Sequence, residues 1–166
     1  MKKLILFIMT IVMVCSLSTV SFAEGYTTKA VPSNNSFKAY MSYTAITNTS
    51  SPQYKLQQQA YTGNYGIRMV DDRYCIAVGS YYTTTIGTKI DVIMENGHVI
   101  KCIVGDCKAD AHTDSTHRAN PNGCVVEFIV DMSALDSTCR RMGDMSYVSS
   151  LGLDGEISSL RVYDGK

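Results

Sequence analysis

The sequence predicts a mainly β protein, a small barrel of six or so strands with one or two short helices. Three observations carry this. Gly87 to Asp106 reads as strand, Asn96-Gly97 turn and strand, and Asn-Gly between alternating apolar residues is the strongest short-range hairpin signal. Apolar residues alternate with period two in several further runs from Ile67 onward. One segment breaks that rhythm, with Met132, Leu135, Cys139 and Met142 recurring at helical spacing before Gly143.

Taken in order, residues 24–36 are rich in Thr, Ser and Asn and read as a flexible leader. Phe37 to Tyr43 alternates weakly and is expected to form a strand, which Asn48 to Pro52 ends. Tyr54 to Tyr61 suits a short helix packing Tyr54, Leu56 and Ala60 inward, followed by a turn over residues 62–66. Ile67 with Met69, then Tyr74, Ile76 and Val78, give two short strands. In the hairpin, Ile90, Val92 and Met94 face one way, and Lys89, Asp91 and Glu95 the other; Ile100, Cys102 and Val104 line the return strand. Cys124 to Val130 is an apolar, β-branched strand. A helix from Ser133 to Met142 is expected next, since Ser133 and Asp136 have capping-box spacing and Gly143 offers a stop. Ile157, Leu160 and Val162 mark the last strand. Small size, short strands and a single clear helix favour a barrel with the helix against it.

The first 23 residues have the pattern of a signal peptide. Lys2 and Lys3 precede an apolar run from Leu4 to Val14, and Ser21-Phe22-Ala23 places small residues at a cleavage site. The run is about half the ~20 residues that span a bilayer, so no stable membrane insertion is expected after cleavage. Cys15 follows Val14, where a lipidated cysteine would want a small residue. The expected product is secreted, with residues 24–65 as leader and accessory segment and residues 66–166 as one barrel domain.

Fifteen basic residues match fifteen acidic ones over the whole chain, with no basic stripe. That argues against nucleic acid and against attraction to anionic lipid. Beyond the signal the cysteines are Cys75, Cys102, Cys107, Cys124 and Cys139, an odd set that leaves at least one without an intrachain partner. No C-x-x-C pair points to zinc. Cys107 and Cys124 bracket the polar stretch between them and are the pair most worth testing as a disulfide, although sequence alone does not fix connectivity.

The order of the pieces resembles the double-psi β-barrel of the rare lipoprotein A type, and the related three-aspartate domains of Gram-positive cell-wall proteins. Ile86-Gly87-Thr88 is similar to their Leu-Gly-Thr, Asn96-Gly97 to their hairpin, and Gly105-Asp106 to the Asn-Asp opening their Asp-Arg-Gly-Pro loop. Val130-Asp131-Met132-Ser133 resembles their Ile-Asp-Leu-Ser, and Met142-Gly143 their Leu-Gly. The likeness spans roughly residues 74–164. It implies a cell-wall protein that cleaves peptidoglycan glycan strands as a lytic transglycosylase, with Asp106 as the acid/base. A barrel of this kind without the chemistry would instead bind the wall or another polysaccharide. The family's histidine before Leu-Gly-Thr is absent here, where Gly79 to Thr85 carries Tyr81 and Tyr82. The Arg-Gly-Pro is replaced by Cys107-Lys108-Ala109.

A carboxylic acid can protonate a glycosidic oxygen and, as carboxylate, take a proton from the sugar's own hydroxyl. The densest group of ionisable residues follows Asp106, with Lys108, Asp110, His112, Asp114 and His117. Three readings stay open there. His112 could serve beside Asp106 with Asp110 or Asp114 orienting it; His112, Asp114 and His117 could ligate a metal; or the stretch is a hydrophilic loop held by local turns. Tyr81 and Tyr82 are candidates for stacking on sugar rings, and Lys108, Asp110 and Asp114 for polar contacts to substrate. The resulting expectation is a monomeric, cofactor-free protein acting on peptidoglycan or another polysaccharide, with no metal required.

Overall fold

The computed structural model describes residues 24–165, so the signal-peptide pattern lies outside the described residues. Among the described residues nine strands form one mixed sheet: β1 (Tyr26–Ala30), β2 (Tyr40–Ser42), β3 (Tyr61–Thr62), β4 (Arg68–Val70), β5 (Arg73–Val78), β6 (Lys89–Met94), β7 (Val99–Cys107), β8 (Glu127–Val130) and β9 (Ile157–Tyr163). Two short helices complete it, α1 (Pro52–Gln59) and α2 (Ser137–Met142). The class is mainly β, as expected. The strands follow the order β1-β9-β6-β7-β5-β4-β3, with β8 paired to β5 and to β2, and the sheet is not closed. Most neighbours are antiparallel; β5 with β7 and β2 with β8 run parallel.

The central hairpin forms with a different turn. Gly97 N–H donates to the Met94 carbonyl at 3.0 Å, so Glu95 and Asn96 are the central residues and Gly97 follows them in the left-handed region, at φ 87°. Gly supplies that conformation at low steric cost. Residues 26–30 are not a leader but β1, paired antiparallel with β9 from Tyr26–Tyr163 to Ala30–Ser159. The polar composition reads as loop because this is a sheet edge exposed over most of its length.

Helix α1 is capped by Ser51, whose hydroxyl accepts from Tyr54 N–H, with Pro52 at its first position. Its fully buried residue is Gln57 rather than the expected Leu56. Helix α2 begins at Ser137, not Ser133, because Asp136 takes the cap, accepting from Thr138 and Cys139 N–H. Ser133 instead closes a turn on Asp131 through its N–H at 2.9 Å. Gly143, at φ 70°, ends the helix as expected.

The core gathers on one face of the sheet, where Ile76, Val78, Cys102, Val104, Phe128 and Val130 pack together. Asp91, expected on the face opposite Ile90 and Val92, is 6% exposed. With β7 on one side and β9 on the other, it pairs with Arg73 at 2.9 Å and accepts from the Tyr163 hydroxyl at 2.7 Å. A buried carboxylate needs such partners to offset its lost hydration.

Candidate functional site

Period-two alternation decides which way a strand residue points, and Asp106 sits where that alternation breaks. Along β5 and β7, Ile76 pairs with Val104, but Ala77 pairs with Asp106, leaving Gly105 as an extra residue on β7. Val104 belongs to the core face. Strict alternation would return Asp106 to that face two residues later. The bulge instead keeps Gly105 and Asp106 both on the opposite face, under α1. A Cβ on Gly105 would meet Ile129 Cδ1, Gln57 Nε2 and Cys75 Cβ. Asp106 is contacted from α1 by Gln53, whose Nε2 donates to Oδ1 at 3.4 Å. Cys107, after the bulge, turns back against the core cluster.

Asp106 opens into a cleft of about 270 Å³ lined by Ala45, Thr47, Asn48, Ser51 and Gln53 with Asp106 itself. Its walls are the 45–51 segment and the first turn of α1. Apart from Asp106, the polar lining is hydroxyls and amides without formal charge. Oδ1 also accepts from Cys107 N–H at 2.8 Å. A second cleft of about 340 Å³ lies on the other side of the same segment, with Tyr43, Tyr54 and Gln57 among its walls. Ile46 and Thr47 border both.

A second carboxyl shares this face. Ala77 pairs with Asp106 across β5–β7 and with Glu127 across β5–β8, so the three form one row across the sheet. Two strand spacings put the Asp106 and Glu127 backbones about 10 Å apart. Burial pushes the Glu127 carboxyl up from its ordinary range; Lys108 opposes that shift and Asp106 adds to it. Nothing in the sequence marked Glu127. It sits in an apolar run, and only the cross-strand register reveals its neighbour.

The other candidates separate. His112 is exposed, and the hydrogen bonds at its own position are made by its backbone, accepting from Asn120 Nδ2 and donating to the Ala109 carbonyl. The structure does not join it to Asp106. Asp110 accepts from the Ser80 hydroxyl at 2.6 Å and lies 3.5 Å from His117 Nδ1. Asp114 is a turn organiser, accepting from Thr116, Arg118 and Ala119 N–H groups. A bond from the Thr116 hydroxyl at 2.6 Å, the largest cause, and those N–H bonds hold its carboxyl below the usual range. Among the described residues, no group of three or more His, Cys, Asp or Glu is placed to hold a metal ion.

Tyr82 is buried, at 3% exposure, and belongs to the core cluster, so its ring is closed to ligand. Tyr81 packs edge-on against it, with Arg118 4.2 Å and Lys29 4.9 Å from its ring centre. Lys108 is buried too, and serves the fold. Cys107 and Cys124 are not bridged: the five cysteines in the described residues are free thiols, and Cys107 Sγ turns to the Thr83 carbonyl. Among the described residues, no helix is long and apolar enough to cross a membrane. Comparison of the chain with protein-family models, with curated proteins and with solved structures returns no match in any of the three.

Proposed function

We propose that the chain is a secreted, cell-wall-associated protein of the double-psi barrel kind that remodels peptidoglycan glycan strands, with Asp106 as the acid/base. The observation that carries this is the Gly105 bulge, which turns Asp106 out of the core and into a cleft of neutral hydrogen-bonding side chains. Thr47, Asn48, Ser51 and Gln53 offer donors and acceptors of the kind that pair with sugar hydroxyls. The two parallel pairings, β5–β7 and β2–β8, support kinship with a barrel built on crossed connections.

In this reading the Asp106 carboxyl gives its proton to the glycosidic oxygen, and the carboxylate then takes one from the sugar's own hydroxyl, so no water enters. Glu127 stands in the same row, and its half-buried carboxyl keeps a proton to higher pH than an ordinary glutamate. His112 has no part in this arrangement.

A second reading, a binding module without catalysis, draws on the hydrogen bonds to Asp106. Gln53 Nε2 and Cys107 N–H both donate to Oδ1, which suits a fixed acceptor for a sugar hydroxyl. Incubating the purified protein with peptidoglycan and looking for 1,6-anhydro sugar products tests the proposal. Product from the native chain, with activity lower by about 100-fold or more in Asp106→Asn at unchanged fold, supports the enzyme. Wall binding by the native protein without product, weakened in Asp106→Asn, leaves the binding module.

A further inference from the structure

Lys108 leaves the end of β7 and turns beneath the polar insertion it begins. Its Nζ lies 3.4 Å from Cys124 Sγ and 2.6 Å from both the Cys124 carbonyl and Asn120 Oδ1. Both residues are enclosed, Lys108 at 7% and Cys124 at 1% exposure. The sulfur is held in place as well: Ala39 N–H donates to it at 3.3 Å, and its own S–H donates to the Val126 carbonyl at 3.2 Å. Burial lowers the Lys108 pKa, which raises the share of neutral, nucleophilic amine. One residue thus opens the insertion, the other closes it, and their reactive atoms already touch.

We propose that Lys108 and Cys124 form an oxidative cross-link, in which hydrogen peroxide oxidises the thiol and the lysine amine captures the product as a sulfur–nitrogen bond. In the first step the thiol sulfur attacks peroxide, the O–O bond breaks, and the S–H proton passes to the departing oxygen. One oxygen stays on sulfur as sulfenic acid, the other leaves as water, and sulfur gives up two electrons. In the second, the Nζ lone pair attacks that sulfur. The S–O bond breaks, and the departing hydroxide leaves as a second water with a proton from nitrogen. The protein loses two hydrogen atoms overall, and peroxide is fully consumed. Residues 109–123, which carry Asp110, His112, Asp114 and His117, become a covalently closed loop. Access to the sulfur requires local opening of this insertion, which contributes no strand to the sheet between β7 and β8.

Peptide mapping by mass spectrometry, on chain purified under reducing conditions and then exposed to hydrogen peroxide, tests this. The expected product resists trypsin at Lys108 and joins the Lys108 and Cys124 peptides at a mass two hydrogens below their sum. Excess dithiothreitol restores both free peptides. Lys108→Arg keeps a buried cation and its donors but not a nucleophilic amine, and Cys124→Ser lacks the sulfur. Each, once shown to be folded by circular dichroism, should give no joined peptide. Recovery of Cys124 as sulfinic or sulfonic acid with Lys108 cleaved normally overturns the proposal. So does Cys124 left reduced while the methionines oxidise, or Cys124 joined to Lys38 or to another cysteine.

Discussion

Gly105→Ala tests the packing that aims Asp106. The added methyl would lie 2.6 Å from Ile129 Cδ1 and 3.2 Å from Gln57 Nε2. Non-bonded carbons rest at about 3.5–4.0 Å, so Cδ1 must retreat by about 1 Å inside a filled interior. Overpacking of this kind costs about 1–3 kcal/mol. Ile129→Val removes the offending Cδ1 and alone costs about 1 kcal/mol, the usual loss for one buried methyl. Together the substitutions should partly cancel, because the alanine methyl fills the space that Cδ1 vacates. Urea unfolding followed by far-ultraviolet circular dichroism gives the four stabilities of the cycle; tryptophan fluorescence is no option, since the chain has none. The expected coupling is about 1–2 kcal/mol in favour of the double variant. If the two costs simply add, to within about 0.5 kcal/mol, the contact does not constrain the bulge and the account is wrong.

Three further outcomes follow from the same structure. Glu127 has a folded pKa raised by burial, so its contribution is complete below the unfolded value of about 4.3 and is lost as pH rises through the folded one. Glu127→Gln, which does not titrate, should therefore gain melting temperature relative to the native chain between pH 4 and pH 7; a constant difference speaks against a buried carboxyl. Arg68 donates to Gln57 O at 3.0 Å and also to Ala60 O and the Thr62 hydroxyl, so Arg68→Met should lose about 2–4 kcal/mol in urea and weaken binding at the Asp106 cleft. Lys38→Met, which strips two 2.8 Å bonds from the Ser36 and Gly155 carbonyls, should cost about 2–3 kcal/mol by the same measurement, and a loss under 0.5 kcal/mol would show those carbonyls finding water instead.

Sequence patterning recovered what depends on neighbours along the chain. The central strands, the Gly143 stop and the apolar set of Ile76, Val104 and Phe128 all follow from period and turn chemistry. What it missed depends on neighbours across space. Alternation places Asp91 opposite Ile90 and Val92, and only the flanking strands, with Arg73 and Tyr163, explain its burial. Residues 26–30 lack any strong apolar signal because an edge strand is held by backbone bonds to β9. At the site, Asp106 was legible as an acid at a strand end, but its direction was not. The bulge at Gly105 is a property of the β5–β7 register. Glu127 was invisible for the same reason, and Tyr82 looked available because adjacent tyrosines give no hint of which one is buried.

The polar connections show how this chain holds long irregular segments. Two cysteines bracketing a loop suggest a disulfide, yet the thiols stay free and a lysine does the fastening. Lys108 reaches Asn120 Oδ1 and the Cys124 carbonyl from one end of the insertion. Lys38 does the same elsewhere, joining the Ser36 and Gly155 carbonyls while its N–H donates to Asp144. Both amines have their pKa lowered by burial, the largest cause in each case. A lysine clasp and a disulfide differ in what releases them. The disulfide answers to redox potential alone, whereas the clasp loosens when the amine is removed or the carbonyls find water. The Lys108 clasp is unusual in having a thiol as its third contact, so oxidation is the one change that would convert a reversible fastening into a covalent one.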